Sequence, residues 1–254
     1  MLLLRRILAC VLPLSAALFV SMAAAKDVVP PVLDRSGIEK IIREYLLANP
    51  EILDEANAEL ERRKEAFRLD AQTKALNLNA EELTKSTNDF VVGNPEGDIT
   101  LVEFFDFNCG YCKKALKDVQ ELTQSDNKLR IVLKDFPILS EGSVSAARVA
   151  LAAKFQLPAA KQFEFHSRLL EMSGMIDGER ALSVASEMGL DVEKIKVDMQ
   201  GKAVNDALSR NMKVAQALGL TGTPSFIVGK EVIQGAVGRE TLSTAIENNR
   251  RCKN

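Results

Sequence analysis

Ile99–Gln124 reads ITLVEFFDFNCGYCKKALKDVQELTQ, and the fold of the chain turns on it. Its first nine residues, Ile99–Phe107, are mostly β-branched, aliphatic and aromatic and predict a strand. Lys113–Gln124 carries helical periodicity instead. Between them lies Cys109-Gly110-Tyr111-Cys112, two thiols at the spacing of a small disulfide, the first of them at the start of the helix. Unpaired N–H groups at a helix N-terminus favour nearby negative charge, so the first sulfur is expected as a thiolate. In such motifs the cysteine pKa falls from about 8.5 into roughly the 3.5–7.5 range. Cys109 is then the attacking, solvent-facing sulfur and Cys112, one turn further in, the resolving one. The competing use of such a pair is zinc, which asks for four ligands. Downstream the sequence offers only Cys252 and His166, neither at a useful spacing.

Working outward, Leu129–Phe136 (LRIVLKDF) predicts the next strand, and strand, helix, strand at this length predicts a right-handed βαβ unit. Phe90–Val92 is a short strand ahead of it, followed by the turn Gly93–Asp98. From Gly142 to Leu218 only helical periodicity is found. His166 falls in this stretch, remote in sequence from the dithiol, and is expected to be structural. Pro224–Val228 and Glu231–Gln234, joined through Gly229-Lys230, predict a hairpin, and Arg239–Asn248 a closing helix. On an alternating strand Glu103 shares a face with Leu101, Phe105 and Phe107 and is expected to be buried. A buried carboxyl has a raised pKa and could take the proton of Cys112. The alternative is an exposed acid on an edge strand.

Met1–Ala25 has the make-up of an export signal: Arg5 and Arg6, an apolar run Ile7–Val20, then Ala23-Ala24-Ala25. The run is short for a spanning helix. Residues 26–85 predict a helical stalk and 86–254 a catalytic domain with its helical insertion at about 142–218. Within Ile38–Leu83, Leu46, Leu53, Leu60 and Phe67 recur every seven residues, with a break or kink expected at Asn49-Pro50. This stripe reads either as a self-association seam making a dimer or trimer through 38–83, or as a helix packed on its own domain. The formal charge of −2 lacks the basic excess of a nucleic-acid binder. Export places the chain where disulfides persist. Cys252, in the basic tail, is an incidental thiol or a site of intermolecular pairing.

ITLVEFFDFNCGYCKK, the helical insertion and GLTGTPSFIVGKEVIQG together resemble the exported Dsb group of the thioredoxin superfamily, in that family's order over about 165 residues. The helical segment ahead of a DsbA-like domain resembles the ScsC-like proteins, and the Gly-Tyr and Thr-Pro pairs those of the isomerase DsbC. The resemblance implies an α/β thioredoxin-like fold with a helical insertion, preceded by an N-terminal helical oligomerisation segment. It implies that Pro224 is the family's cis-proline, although a strand-starting proline would fit the local sequence equally. It implies that Thr223 beside it pairs with an extended client strand, that Glu103 has the proton role, and that Gly110 and Tyr111 tune the redox potential. With no histidine between the cysteines, thiolate stabilisation is expected to be modest, which favours shuffling over oxidation.

The expected function is an exported, periplasmic protein disulfide isomerase without a cofactor. It would act on misfolded or newly exported cysteine-containing proteins and be served by a membrane thiol redox partner. A DsbA-like dithiol oxidase is the alternative. From another class comes copper tolerance, with Cu(I) on Cys109 and Cys112.

Overall fold

Residues 34–252 are described by the computed structural model; the expected export signal, Met1–Ala25, and the leader up to residue 33 lie outside the described residues. Asp34 caps the first helix, α1 (Arg35–Ala48), accepting the Gly37 N–H at 2.8 Å. It ends at Asn49, and Pro50, which has no N–H to give, separates it from α2 (Glu51–Leu78). The four heptad residues therefore do not share one helix: Leu46 sits on α1, and Leu53, Leu60 and Phe67 on α2. The middle of α2 is bare of core contacts and laced with ion pairs on its own surface, Glu59 to Arg62 and Arg63, and Glu65 to Arg68.

After α3 (Ala80–Lys85), five strands form one sheet: β1 (Phe90–Gly93), β2 (Ile99–Phe105), β3 (Leu129–Asp135), β4 (Ser225–Val228) and β5 (Glu231–Gln234), in the order β1-β3-β2-β4-β5. β2 and β3 are parallel, joined across α4 (Gly110–Ser125), as the βαβ reading requires. All the other pairs are antiparallel, and β4 and β5 form the expected hairpin. The helical stretch resolves into α5 (Glu141–Lys154), α6 (Ala159–Glu171), α7 (Gly178–Glu187), α8 (Val192–Asp198) and α9 (Lys202–Ala217); α10 (Arg239–Arg251) closes the chain.

Strand alternation divides the core in two. Leu101, Phe105, Ile131 and Leu133 face a layer that takes in α4 to α8 and α10. Val102, Phe104, Val132 and Phe136 face the end of α9, and Ala75, Leu76 and Leu83 join them. The last turns of α2 and all of α3 thus contribute to the core of the domain they precede. On this second side Lys134 is wholly buried, which its strand position in the sequence did not suggest. Its ammonium lies 2.5 Å from Asp89, and Asn211 bonds both groups. A charge buried with one hydrogen-bonded partner on each side is tolerated.

Candidate active site

β2 carries the chain from the sheet centre to the dithiol. Glu103, opposed by Leu133 on one side and Phe226 on the other, is 2% exposed, and its Oε1 has no hydrogen-bond partner. Burial first, and then the charge of Cys109, raise its pKa to about 8. At Asp106 the strand gives way to a turn that the carboxylate itself builds. It accepts the N–H groups of Asn108 (2.8 Å), Ile138 (2.9 Å) and Leu139 (3.0 Å), while the Asp106 carbonyl accepts the Cys109 N–H at 3.0 Å.

Cys109 is the N-cap of α4. Its Sγ accepts the Cys112 N–H at 3.4 Å, the arrangement expected of a thiolate at a helix start. The pKa is lowered to about 5, chiefly by a hydrogen bond from the Cys112 thiol, against burial, with help from the Thr223 hydroxyl and the N–H groups of Cys112 and Tyr111. That exceeds the modest stabilisation anticipated from the missing histidine; the Cys112 thiol first, then the Thr223 hydroxyl and the backbone, supply what an imidazolium would have. Cys109 is also more enclosed than a solvent-facing sulfur. It is 6% exposed, and the Thr223 carbonyl, 3.1 Å away, accepts its S–H when the sulfur is protonated. Cys112 is fully buried, and burial, its bond to Cys109 and the Glu103 charge push its thiol far up. The two sulfurs are unlinked, so this is the dithiol form.

The Thr223–Pro224 peptide is cis. Its loop is pinned by Ser225 Oγ donating to the Gly222 carbonyl (2.7 Å) and by the Gly235 N–H donating to the Pro224 carbonyl (2.8 Å). Gly110 has nothing within 4 Å of where a Cβ would stand, and Tyr111 is exposed with the Lys114 ammonium 5.3 Å from its ring centre.

His166 is not remote in space. Its buried ring lies 4.5 Å from Phe105 and 5.7 Å from Phe107, and burial lowers its pKa to about 3, so it stays neutral and lends the thiolate no charge. Cys252 is exposed at the C-cap of α10. Among the described residues no group of three or more His, Cys, Asp or Glu is arranged to hold a metal, which leaves Cu(I) the two thiols alone. Asp106 and Asn108 escaped the sequence reading. The available signal was two polar side chains alternating with Phe105 and Phe107 inside a buried run.

Opposite pH dependences follow from the two shifted groups. Glu103 holds its proton in the fold, so its contribution to stability is lost as pH rises from the ordinary carboxylate range through about 8. Cys109 is depressed, so its contribution grows between about 5 and the ordinary thiol range. In the native chain the two partly cancel. Glu103→Gln removes only the first, so its stability relative to the native chain should climb from pH 5 to pH 8.5, as measured by urea unfolding. A difference that stays flat or falls would show that Glu103 is ionised throughout.

Residues 100–247 match the DsbA-like thioredoxin domain family, and residues 34–66 match the N-terminal domain of the copper resistance protein ScsC. A thioredoxin-like oxidoreductase from Silicibacter pomeroyi DSS-3 is 43% identical, with 67% of this chain and 97% of that one covered and a TM-score of 0.64. BcfH of Salmonella enterica Typhimurium is 26% identical, covering 85% and 95%, with a TM-score of 0.71. The compact form of Proteus mirabilis ScsC is 26% identical, covering 79% and 98%, with a TM-score of 0.60. Among curated relatives, a Na(+)/H(+) antiporter NhaA of Herminiimonas arsenicoxydans is 30% identical over 164 residues, which are 64% of this chain but 26% of that protein. The chain thus spans about a quarter of the length of the curated relatives it matches. No helix among the described residues is long and apolar enough to cross a membrane. The chain belongs to the DsbA-like thioredoxin domain family, with a ScsC-type N-terminal domain ahead of the thioredoxin fold.

Proposed function

We propose that the chain is an exported, periplasmic protein disulfide isomerase that works through Cys109 and Cys112 on misfolded or newly exported proteins. The observation that supports this reading is a dithiol set on one helix turn, Cys109 capping α4 and taking the Cys112 N–H at 3.4 Å beside the cis Thr223–Pro224 peptide with Cys112 fully buried behind it, preceded by a helical segment that matches the ScsC N-terminal domain. The Cys109 thiolate attacks a client disulfide; a Cys109–client bond forms and the other client sulfur leaves as a thiolate. A second client thiolate then attacks the client's own sulfur, forming the new client disulfide and freeing Cys109 with no net electron transfer. Where none arrives, Cys112 gives its proton to Glu103, closes the Cys109–Cys112 disulfide and releases the client reduced. In the mixed disulfide the Cys109 charge that helps to raise the Glu103 pKa is gone, so Glu103 gives up its own proton more readily and stands as the carboxylate that can take the one from Cys112. Thr223 offers its backbone to an extended client segment beside the sulfur. Tyr111 and Gly110 leave the approach to it open. A membrane thiol donor would return the dithiol to its reduced form, and the 38–83 segment would hold two or three copies together.

One observation favours the oxidase reading. A thiolate this stable favours the reduced form, which makes the disulfide more oxidising. Copper handling by the reduced pair is the reading from another class. The decisive comparison sets recovery of activity from a scrambled-disulfide protein against oxidation of a reduced one. An isomerase reactivates the first faster than it oxidises the second, and the reverse order makes the chain an oxidase.

A further inference from the structure

The residues on either side of the dithiol motif both reach into one loop of the helical insertion. Asn108, just before Cys109, accepts the Ile176 N–H (2.6 Å) and donates to the Ile176 carbonyl (2.7 Å) and to Ser143 Oγ (3.0 Å). Lys113, just after Cys112, donates to the Met172 carbonyl at 2.6 Å. Arg180 holds the Met175 carbonyl at 2.8 Å, and Ser145 takes the Gly178 N–H at 2.9 Å. The six-residue connection between α6 and α7 is therefore fixed by backbone bonds along its length. Ile176 is buried at its end, Gly174 turns it at φ 77°, and Met175 at its crest is 65% exposed. A mobile loop would shed an apolar side chain to solvent at little cost in order, but this one is held out rigidly. Beside it, Leu139 is 55% exposed on the segment that Asp106 anchors, and Tyr111 is 63% exposed within the motif.

We propose that Met172–Ile176 is a specificity lip for the dithiol, on which Met175 meets an apolar client side chain next to the client's cysteine, and that Lys113 and Asn108 are positioning residues locking the lip to the sulfurs. This rests on the oxidoreductase reading above. Methionine suits the role because its unbranched, polarizable side chain packs against many apolar shapes, as a catalyst of varied clients requires. Leu139 and Tyr111 border the same approach, so the preference is for apolar residues flanking the cysteine rather than for one sequence. The lysine bond matters because α4 carries both Cys112 and Lys113. The lip and the resolving sulfur therefore share one rigid support.

The full chain, reduced, is mixed with two peptide disulfides, one with Leu and one with Ser on both sides of the cysteine, and with glutathione disulfide. In each reaction the chain's dithiol becomes its Cys109–Cys112 disulfide and the added disulfide becomes two thiols, which are followed as they appear. The native chain should react faster with the Leu peptide than with the Ser peptide. Met175→Ser should lower that ratio roughly tenfold, the effect of losing one buried apolar side chain, and Met175→Leu should retain it. Lys113→Met should lower the ratio as well, and Lys113→Arg, which keeps a donor for the Met172 carbonyl, should restore it. An unchanged ratio in Met175→Ser, with the glutathione reaction intact, overturns the lip. A ratio that falls in Met175→Ser but not in Lys113→Met overturns the locking role. Absence of any reaction with glutathione disulfide in the native chain defeats the oxidoreductase reading instead.

Discussion

Cys112→Ser should accumulate mixed disulfides with cysteine-bearing clients, and Cys109→Ser should form none. At pH 7 a group with a pKa near 5 is ionised about a hundredfold over. Serine at 112 retains a hydroxyl donor in place of the thiol that does most to stabilise Cys109, so the attacking sulfur stays ionised. Only an incoming client thiolate then remains to break the bond it forms, because the resolving sulfur on the same helix turn is gone, so the adducts outlast those of the native chain. In Cys109→Ser the surviving thiol is the fully buried Cys112, held protonated by burial, and no client reaches it. Non-reducing gels of a periplasmic extract, with the adducts identified by mass spectrometry, distinguish the two variants by presence against absence. Trapping by the Cys112→Ser chain should also persist down to about pH 5 and fail below it, as the Cys109 thiolate is protonated. Equal trapping by both variants would remove the assignment of roles, and a midpoint near the ordinary thiol range would remove the thiolate.

Local pattern made the motif, its strand and its helix legible, because each is encoded within ten residues of the others. The burial of Glu103 followed from alternation alone. What the sequence did not disclose are contacts made across the fold. Thr223 lies 114 positions from Cys109, yet its carbonyl comes within 3.1 Å of the sulfur and its hydroxyl joins the Cys112 thiol in lowering the Cys109 pKa. The bonds of Asn108 and Lys113 to the α6–α7 connection have no local signature, since each partner is a main-chain group that any residue would supply. His166 sits on a helix whose pattern marks it as inward, but only the packing of α6 over β1 brings it to Phe105 and Phe107. The end of α2 misleads for a different reason. Its charges suggest a helix standing in water, and the buried face there is only Ala75 and Leu76, too narrow to register against them.

That narrow face decides how the assembly is to be tested. Ile38, Ile41, Ile42 and Tyr45 form one apolar face of α1, all exposed, and Leu53, Leu60 and Phe67 continue exposed along α2 at 52%, 48% and 75%. Each such residue contributes about 1.5–3 kcal/mol when covered, so the intact protein should be a dimer or trimer. Ile42→Asp with Tyr45→Asp, or Leu53→Asp with Leu60→Asp, should each dissociate it in light scattering, because an unpaired carboxylate buried in such a seam is strongly disfavoured. A chain beginning at Ser86 is the wrong comparison. It would strip Leu76 and Leu83, 4% and 3% exposed, from Val102, Phe104, Val132 and Phe136, and would report unfolding as loss of function. A chain beginning at Asp70 keeps that cover. Function should then move with assembly: several dithiols held near one client raise the local concentration of attacking thiolate and favour reshuffling over a single exchange. The Asp70 chain and both double variants should retain reduction of simple disulfides, since Cys109, Cys112, Glu103 and Thr223 are untouched, and lose reactivation of a scrambled substrate. A full-length protein that is monomeric, or a dissociated variant that still reactivates at the native rate, would take the N-terminal helices out of the mechanism.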